Sequence, residues 1–149
     1  MNEKMTKRAI EVATPLLQNG ERVVLASFAA VHRESAKATA ARQAATMVGS
    51  VVLTGGMGGA FLAARRFYLV LTDRRLLFFE ETPARGRPRR ELAAELPRAE
   101  LRAKPARSLL YKTYHVTTVD GSPVLRLSFP LPTRGDANLL ARELGSVES

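Results

Sequence analysis

The chain contains no cysteine, which excludes disulfides and thiolate metal sites and leaves no thiol for redox chemistry. It has only two histidines, His32 and His115. Neither stands at a spacing from carboxylates that would complete a metal site, and no serine elbow offers a nucleophile. Asp73, Asp120 and Asp136 are each explained by a turn or a helix cap. With no constellation of acid, base and nucleophile left over, we expect no catalysis, no metal and no cofactor. The N-terminus carries Glu3 and Glu11 and lacks the apolar core of a signal peptide, so a cytoplasmic protein is expected. No internal repeat is visible, and 149 residues at 46% hydrophobic content suit one domain with a core of its own.

What is abundant is positive charge. The formal net charge is +9, with 18 Arg and 5 Lys, and such an excess favours anionic partners, either nucleic-acid phosphates or membrane headgroups. The 22 Ala beside so much Arg also fit the codon usage of a GC-rich genome, without selection for binding. More than half of the excess lies in residues 82–107, where eight basic residues face three Glu. Arg85, Arg87, Arg89 and Arg90 form its cluster, and Arg65 with Arg66 precedes the apolar segment before it. Guanidinium forks suit phosphate oxygens, and several on one mobile loop could hold an anionic membrane surface or nucleic acid. The alternative is a solvated turn that guards a sheet edge. No aromatic side chain is interleaved to stack on bases, which weighs against nucleic acid.

The clearest structural signal is FYLVLTDRRLLFFEE, residues 67–81. Five consecutive apolar residues, a polar turn at Thr72, Asp73, Arg74 and Arg75, and a second apolar run predict two buried strands in a hairpin. Before it, the pattern predicts a helix over 6–18 capped by Thr6 and stopped by Asn19-Gly20, then a first strand over 21–31, with His32 beyond its end. After it come two short strands around Leu92–Leu96 and Leu101–Ala103. A longer strand over 110–119 turns at Asp120-Gly121 into a return strand over 124–129, with Leu125, Leu127 and Phe129 on one face. A closing helix over 134–145 is predicted, with Thr133 and Asp136 as a capping box and Leu139, Leu140 and Leu144 as its apolar stripe.

Residues 43–64 carry no charge over 22 positions. As one helix they would span about 33 Å, comparable with a bilayer core. A single crossing would put the first two strands on opposite sides of the membrane, although they must share a sheet. Gly55, Gly56, Gly58 and Gly59 lower helix stability further, and the cluster lacks the Lys-Ser or Lys-Thr of a phosphate loop. The expectation is a helical insertion across 33–65. Its small residues, Ala45 with Gly49 and Gly55 with Gly59, together with Val52 and Phe61, would pack within the domain or on a second copy. Shallow membrane contact and a flexible glycine loop are the other readings.

The order of elements, with Leu71-Thr72-Asp73-Arg74-Arg75-Leu76 between two apolar strands, resembles the bacterial pleckstrin-homology-like family, including GRAM-type domains. The likeness covers about residues 21–145. It implies an α+β, mainly β fold: a bent, partly open antiparallel barrel of about seven strands with a C-terminal capping helix, plus the N-terminal helix and the insertion. It also implies a non-catalytic binding or assembly module. Such a module would self-associate or dock on a protein partner and contact an anionic membrane surface peripherally, at its inner face, through Arg65, Arg66, Arg85, Arg87, Arg89 and Arg90. The family's basic first loop is replaced here by the uncharged insertion, so its lipid site does not carry over. The alternative function is charge-driven, non-specific nucleic-acid binding.

Overall fold

The computed structural model describes residues 1–33, 52–53, 65–82, 86–106 and 111–145. Among them are helix α1 (Glu3–Ala13), strands β1 (Val23–Arg33), β2 (Val52–Leu53), β3 (Arg65–Thr72), β4 (Arg75–Glu80), β5 (Ala94–Pro97), β6 (Leu101–Ala106), β7 (Lys112–Thr118) and β8 (Pro123–Phe129), and helix α2 (Arg134–Leu144). All strand pairs are antiparallel and the ladder order is β2-β5-β4-β3-β1-β8-β7-β6. β5 and β6 lie at opposite flanks of this ladder, yet only the three-residue 3₁₀ turn Arg98–Glu100 joins them. The sheet therefore curls back on itself, and because β5 and β6 do not pair it stays open.

The unbroken apolar runs follow from two covered faces. Side chains alternate along a strand, so Phe67, Leu69 and Leu71 of β3 and Leu76 and Phe78 of β4 enter one core. Tyr68, Val70, Leu77 and Phe79 enter a second core on the opposite face. α2 closes the inner core with Ala137, Leu140 and Leu144. α1 covers the outer one, where fully buried Ala9 and Ala13 let the helix lie close to the sheet. Each large apolar side chain so buried contributes about 1.5–3 kcal/mol.

Both helices differ from expectation at their caps. α1 begins at Glu3 because the Asn2 side chain accepts the Met5 N–H at 2.8 Å, while the Thr6 hydroxyl donates to the Asn2 carbonyl. It ends at Ala13, ahead of the 3₁₀ turn Thr14–Leu16 that holds Pro15. At α2 the predicted capping box does not form. The Thr133 hydroxyl donates to the Phe28 carbonyl at 2.9 Å, and Asp136 accepts from the Ser27 hydroxyl and the Met1 ammonium, so both side chains tie the helix to distant chain. Leu139 is 47% exposed and leaves the apolar stripe to Leu140 and Leu144, since one residue along a helix turns the side chain by about 100°. β1 runs two residues further than expected and includes His32.

The predicted helical insertion fails where it can be seen: Val52 and Leu53 form β2, with backbone paired to Glu95 and Ala94 of β5. β-branched Val next to Leu suits an edge strand, and β5 had an open edge to receive it. Ala45, Gly49, Gly55, Gly59 and Phe61 lie outside the described residues.

Candidate functional site

The site builds up at the end of the sheet where β3 begins and β4 ends. Arg66 stands in register with Ala30 of β1, is exposed, and its carbonyl accepts the Glu81 N–H. The chain after β4 folds back beside it, so that Arg66 and the arginines of the following loop meet at one end of the sheet. Its described residues are bonded to one another and to the end of β4. The Gly86 N–H donates to the Thr82 carbonyl at 3.0 Å, the Thr82 N–H to the Arg87 carbonyl at 2.7 Å, and the Arg89 N–H to the Glu80 carbonyl at 2.8 Å. Glu81 and Pro88 form a further bridge. Gly86 has φ +63°, a left-handed conformation in which a Cβ would be strained.

The anchor comes from the outer core. The Tyr68 ring packs edge-on against Phe28 at 5.0 Å and is fully buried, and its hydroxyl donates to the Gly86 carbonyl. Burial pushes the phenol pKa up and the charge of Glu81 adds to this, while Arg8 of α1 opposes it. The phenol is therefore a dependable hydrogen-bond donor at neutral pH.

Arg66, Arg87, Arg89 and Arg90 are all exposed, and Arg8 adds a fifth cation nearby. Glu80, Glu81 and Glu91 stand among them. Among the described residues Arg89 is drawn toward a carboxylate, Nε to Glu80 Oε2 at 3.7 Å with both side chains partly exposed, a contact of about 0–1 kcal/mol. Five guanidiniums against three carboxylates leave positive charge for an external anion. Arg65 is the first residue of β3, at the same end. Arg85 lies outside the described residues.

Arg75, by contrast, is engaged within the fold. Its guanidinium donates to both oxygens of Glu21, to Glu95 and to the Leu16 carbonyl. The Thr72 hydroxyl donates to Glu21 at 2.6 Å and accepts the N–H groups of Arg74 and Arg75. Burial alone would raise the Glu21 pKa, but the bonds from Arg75, Thr72 and the Gln18 N–H outweigh it and hold the carboxyl at about 2. This cluster fastens the α1–β1 connection to the β3–β4 turn. The partner of Arg75, Glu21, lies 54 residues earlier and left no local signal in the sequence.

At the opposite end of the strands, a groove of about 540 Å³ is lined by Asp73, Arg98, Arg102, Arg142 and Glu143, among others. Its charges are largely used within the fold. Arg98 bonds the Thr72 carbonyl and the Glu143 carboxylate, and Arg102 bonds the Ala99 and Leu101 carbonyls. Among the described residues, no group of His, Asp or Glu converges as a metal site, and no helix is long and apolar enough to cross a membrane. No family model matches the chain, and no curated protein matches it either.

Proposed function

We propose that the chain is a non-catalytic, pleckstrin-homology-like binding module that docks on a protein partner or a second copy and contacts an anionic membrane surface through Arg66, Arg87, Arg89 and Arg90. Carrying this reading is the placement of Arg66 of β3 at the same sheet end as Arg87, Arg89 and Arg90, in a segment whose Gly86 carbonyl accepts the Tyr68 hydroxyl. A preorganised loop loses little conformational entropy on binding. The curled antiparallel sheet with α2 on its inner face agrees with the family resemblance seen in the turn motif. Fold likeness alone does not specify a ligand, so the reading stands on the charges.

The test is flotation with vesicles containing about 30% phosphatidylserine against purely phosphatidylcholine vesicles. Wild type should float only with the anionic vesicles and less at higher salt. The variant with Arg87, Arg89 and Arg90 changed to Ala should remain at the bottom. Equal flotation of the two proteins would exclude this loop as the contact. Binding to DNA with steep salt dependence and no flotation would favour the nucleic-acid alternative.

A further inference from the structure

The groove at the far end of the strands is built from four stretches of chain that the fold brings together. They are the β3–β4 turn at Asp73, the 3₁₀ turn at Arg98, the start of β6 at Arg102, and the end of α2 at Arg142 and Glu143. Bonds between these stretches fix its walls. The Arg98 guanidinium donates to the Thr72 carbonyl at 3.0 Å and to the Glu143 carboxylate at 2.6 Å, and the Ala103 N–H donates to the Gly145 carbonyl at 2.8 Å. The Arg102 stem lies over Gly145, with Cδ 3.6 Å from where a Cβ would stand.

Three groups in the groove are left uncommitted by the fold. Arg142 is exposed and makes no hydrogen bond or ion pair among the described residues. Arg102 uses Nη1 on the Ala99 and Leu101 carbonyls, which leaves Nε and Nη2 as donors. Asp73 accepts the Arg22 N–H through Oδ1 and keeps Oδ2. Because Arg98 and Glu143 neutralise each other, the remaining formal charge is two guanidiniums against one carboxylate. Guanidinium forks suit the oxygens of a phosphate, and a carboxylate oxygen beside them accepts from hydroxyl groups. Most of the lining is polar, and no aromatic ring stands among its described residues. The volume of about 540 Å³ falls within the usual range for small-molecule sites, roughly 300–1,000 Å³.

We propose that this groove binds a small, hydroxyl-bearing phosphate monoester of the sugar-phosphate class, with Arg102 and Arg142 on the phosphate and Asp73 on a ligand hydroxyl. A monoester carries about −1.5 to −2 near neutral pH, which two free guanidiniums match. Asp73 repels an anion that brings no hydroxyl, so the carboxylate sets a preference as well as a contact. Walls held by Arg98 and by the Ala103–Gly145 bond need little ordering when the ligand enters. The site is distinct from the arginine loop. The length of β3 lies between them, about 24 Å at the usual rise per residue. With the loop against a bilayer, the groove faces away from it, and its ligand is a soluble molecule rather than a headgroup of that membrane. Binding in the groove itself does not depend on the membrane contact.

The test is isothermal titration calorimetry of the full chain with ribose 5-phosphate, glucose 6-phosphate and glycerol 3-phosphate, and with sulfate as a dianion that has no hydroxyl. At least one of the three esters should bind at a single site, about tenfold or more tightly than sulfate. Arg142→Gln removes a side chain that the fold does not bond and should weaken that binding about tenfold. Asp73→Asn keeps an oxygen for the Arg22 N–H and should narrow the preference over sulfate. The loop variant with Arg87, Arg89 and Arg90 changed to Ala should stay within about twofold of wild type. Unchanged circular-dichroism melts would show that the variants are folded; should Asp73→Asn fail to fold, Arg142→Gln decides. Failure of the wild type to bind any of the esters overturns the proposal, as does wild-type affinity in Arg142→Gln. Sulfate bound as tightly as the esters would reveal a general anion site and overturn the sugar-phosphate assignment. Loss of binding in the loop variant would move the ligand to the loop and overturn the groove. Vesicle flotation reads the loop alone, so either reading can fail without the other.

Discussion

The two halves of the outer face use the same alternation to opposite ends. Under α1, the outward residues of β3 and β4 are Tyr68, Val70, Leu77 and Phe79, all fully buried. Across β1, the outward residues of β8, β7 and β6 include Arg126, His115 and Lys104. A helix spread over the first half makes that surface part of the core. The second half has no such cover among the described elements that contact it most, since α2 lies on the inner face. Large apolar groups belong where a second layer excludes water, and cations belong where water or a partner remains.

The largest expected difference between the halves is in stability. Phe79→Ala should cost about 3–5 kcal/mol in urea unfolding, because it empties a site closed by α1. Arg126→Ala should change the same midpoint by no more than about 0.5 kcal/mol. A comparable loss at both positions would show that the second half is packed as well.

Next is the clamp that joins the α1 connection to the turn of the first half. Glu21→Gln should destabilise by about 3 kcal/mol, since it leaves Arg75 with a buried, incomplete partner. Its pH dependence has a definite sign. The Glu21 pKa is lowered to about 2 from 4.5, so its contribution is complete above about 4.5 and fades as pH falls toward 2. Wild type should therefore lose stability over that acid range more steeply than Glu21→Gln. Parallel acid limbs for the two proteins would remove Glu21 from the account.

The inner face offers a comparison within one helix. Leu140→Ala should cost about 2–4 kcal/mol, while Leu139→Ala, one residue away and 47% exposed, should cost less than about 1 kcal/mol. Thermal melts of the pair would show whether α2 docks in the described rotation. The smallest effect concerns the loop itself. Tyr68→Phe keeps the ring and removes the bond to the Gly86 carbonyl, so the global cost should be about 1 kcal/mol. Faster tryptic cleavage after Arg89 and Arg90 would report the loosened anchor, and unchanged cleavage would show that the backbone bonds alone hold this segment.

Much of the fold was legible along the chain because its signals are local. The runs on either side of Thr72-Asp73 gave β3 and β4 nearly to the residue, and Asp120-Gly121 marked the β7–β8 hairpin. The caps were less legible, because Thr133 and Asp136 fit a local box but bond instead to Phe28, Ser27 and Met1, more than 100 residues away. Arg66, Arg87, Arg89 and Arg90 stood out by composition, yet their meeting at one sheet end required the β3–β4 pairing. Val52 read as part of a helix because its uncharged surroundings suggested one, while the neighbour that made it a strand, Glu95, lies far along the chain.

By itself, then, the sequence determined most of the strands other than β2, the turns at Thr72-Asp73 and Asp120-Gly121, and the absence of thiol chemistry, since each depends on residues within a few positions. The tertiary structure decided which face each side chain serves and what stands beside it. Register between distant strands turned His32, Lys104, His115 and Arg126, scattered over the chain, into one row. Burial of Tyr68 under α1 placed its hydroxyl against the Gly86 carbonyl of the arginine-rich segment. Pairing and helix docking are long-range, and no local spacing encodes them.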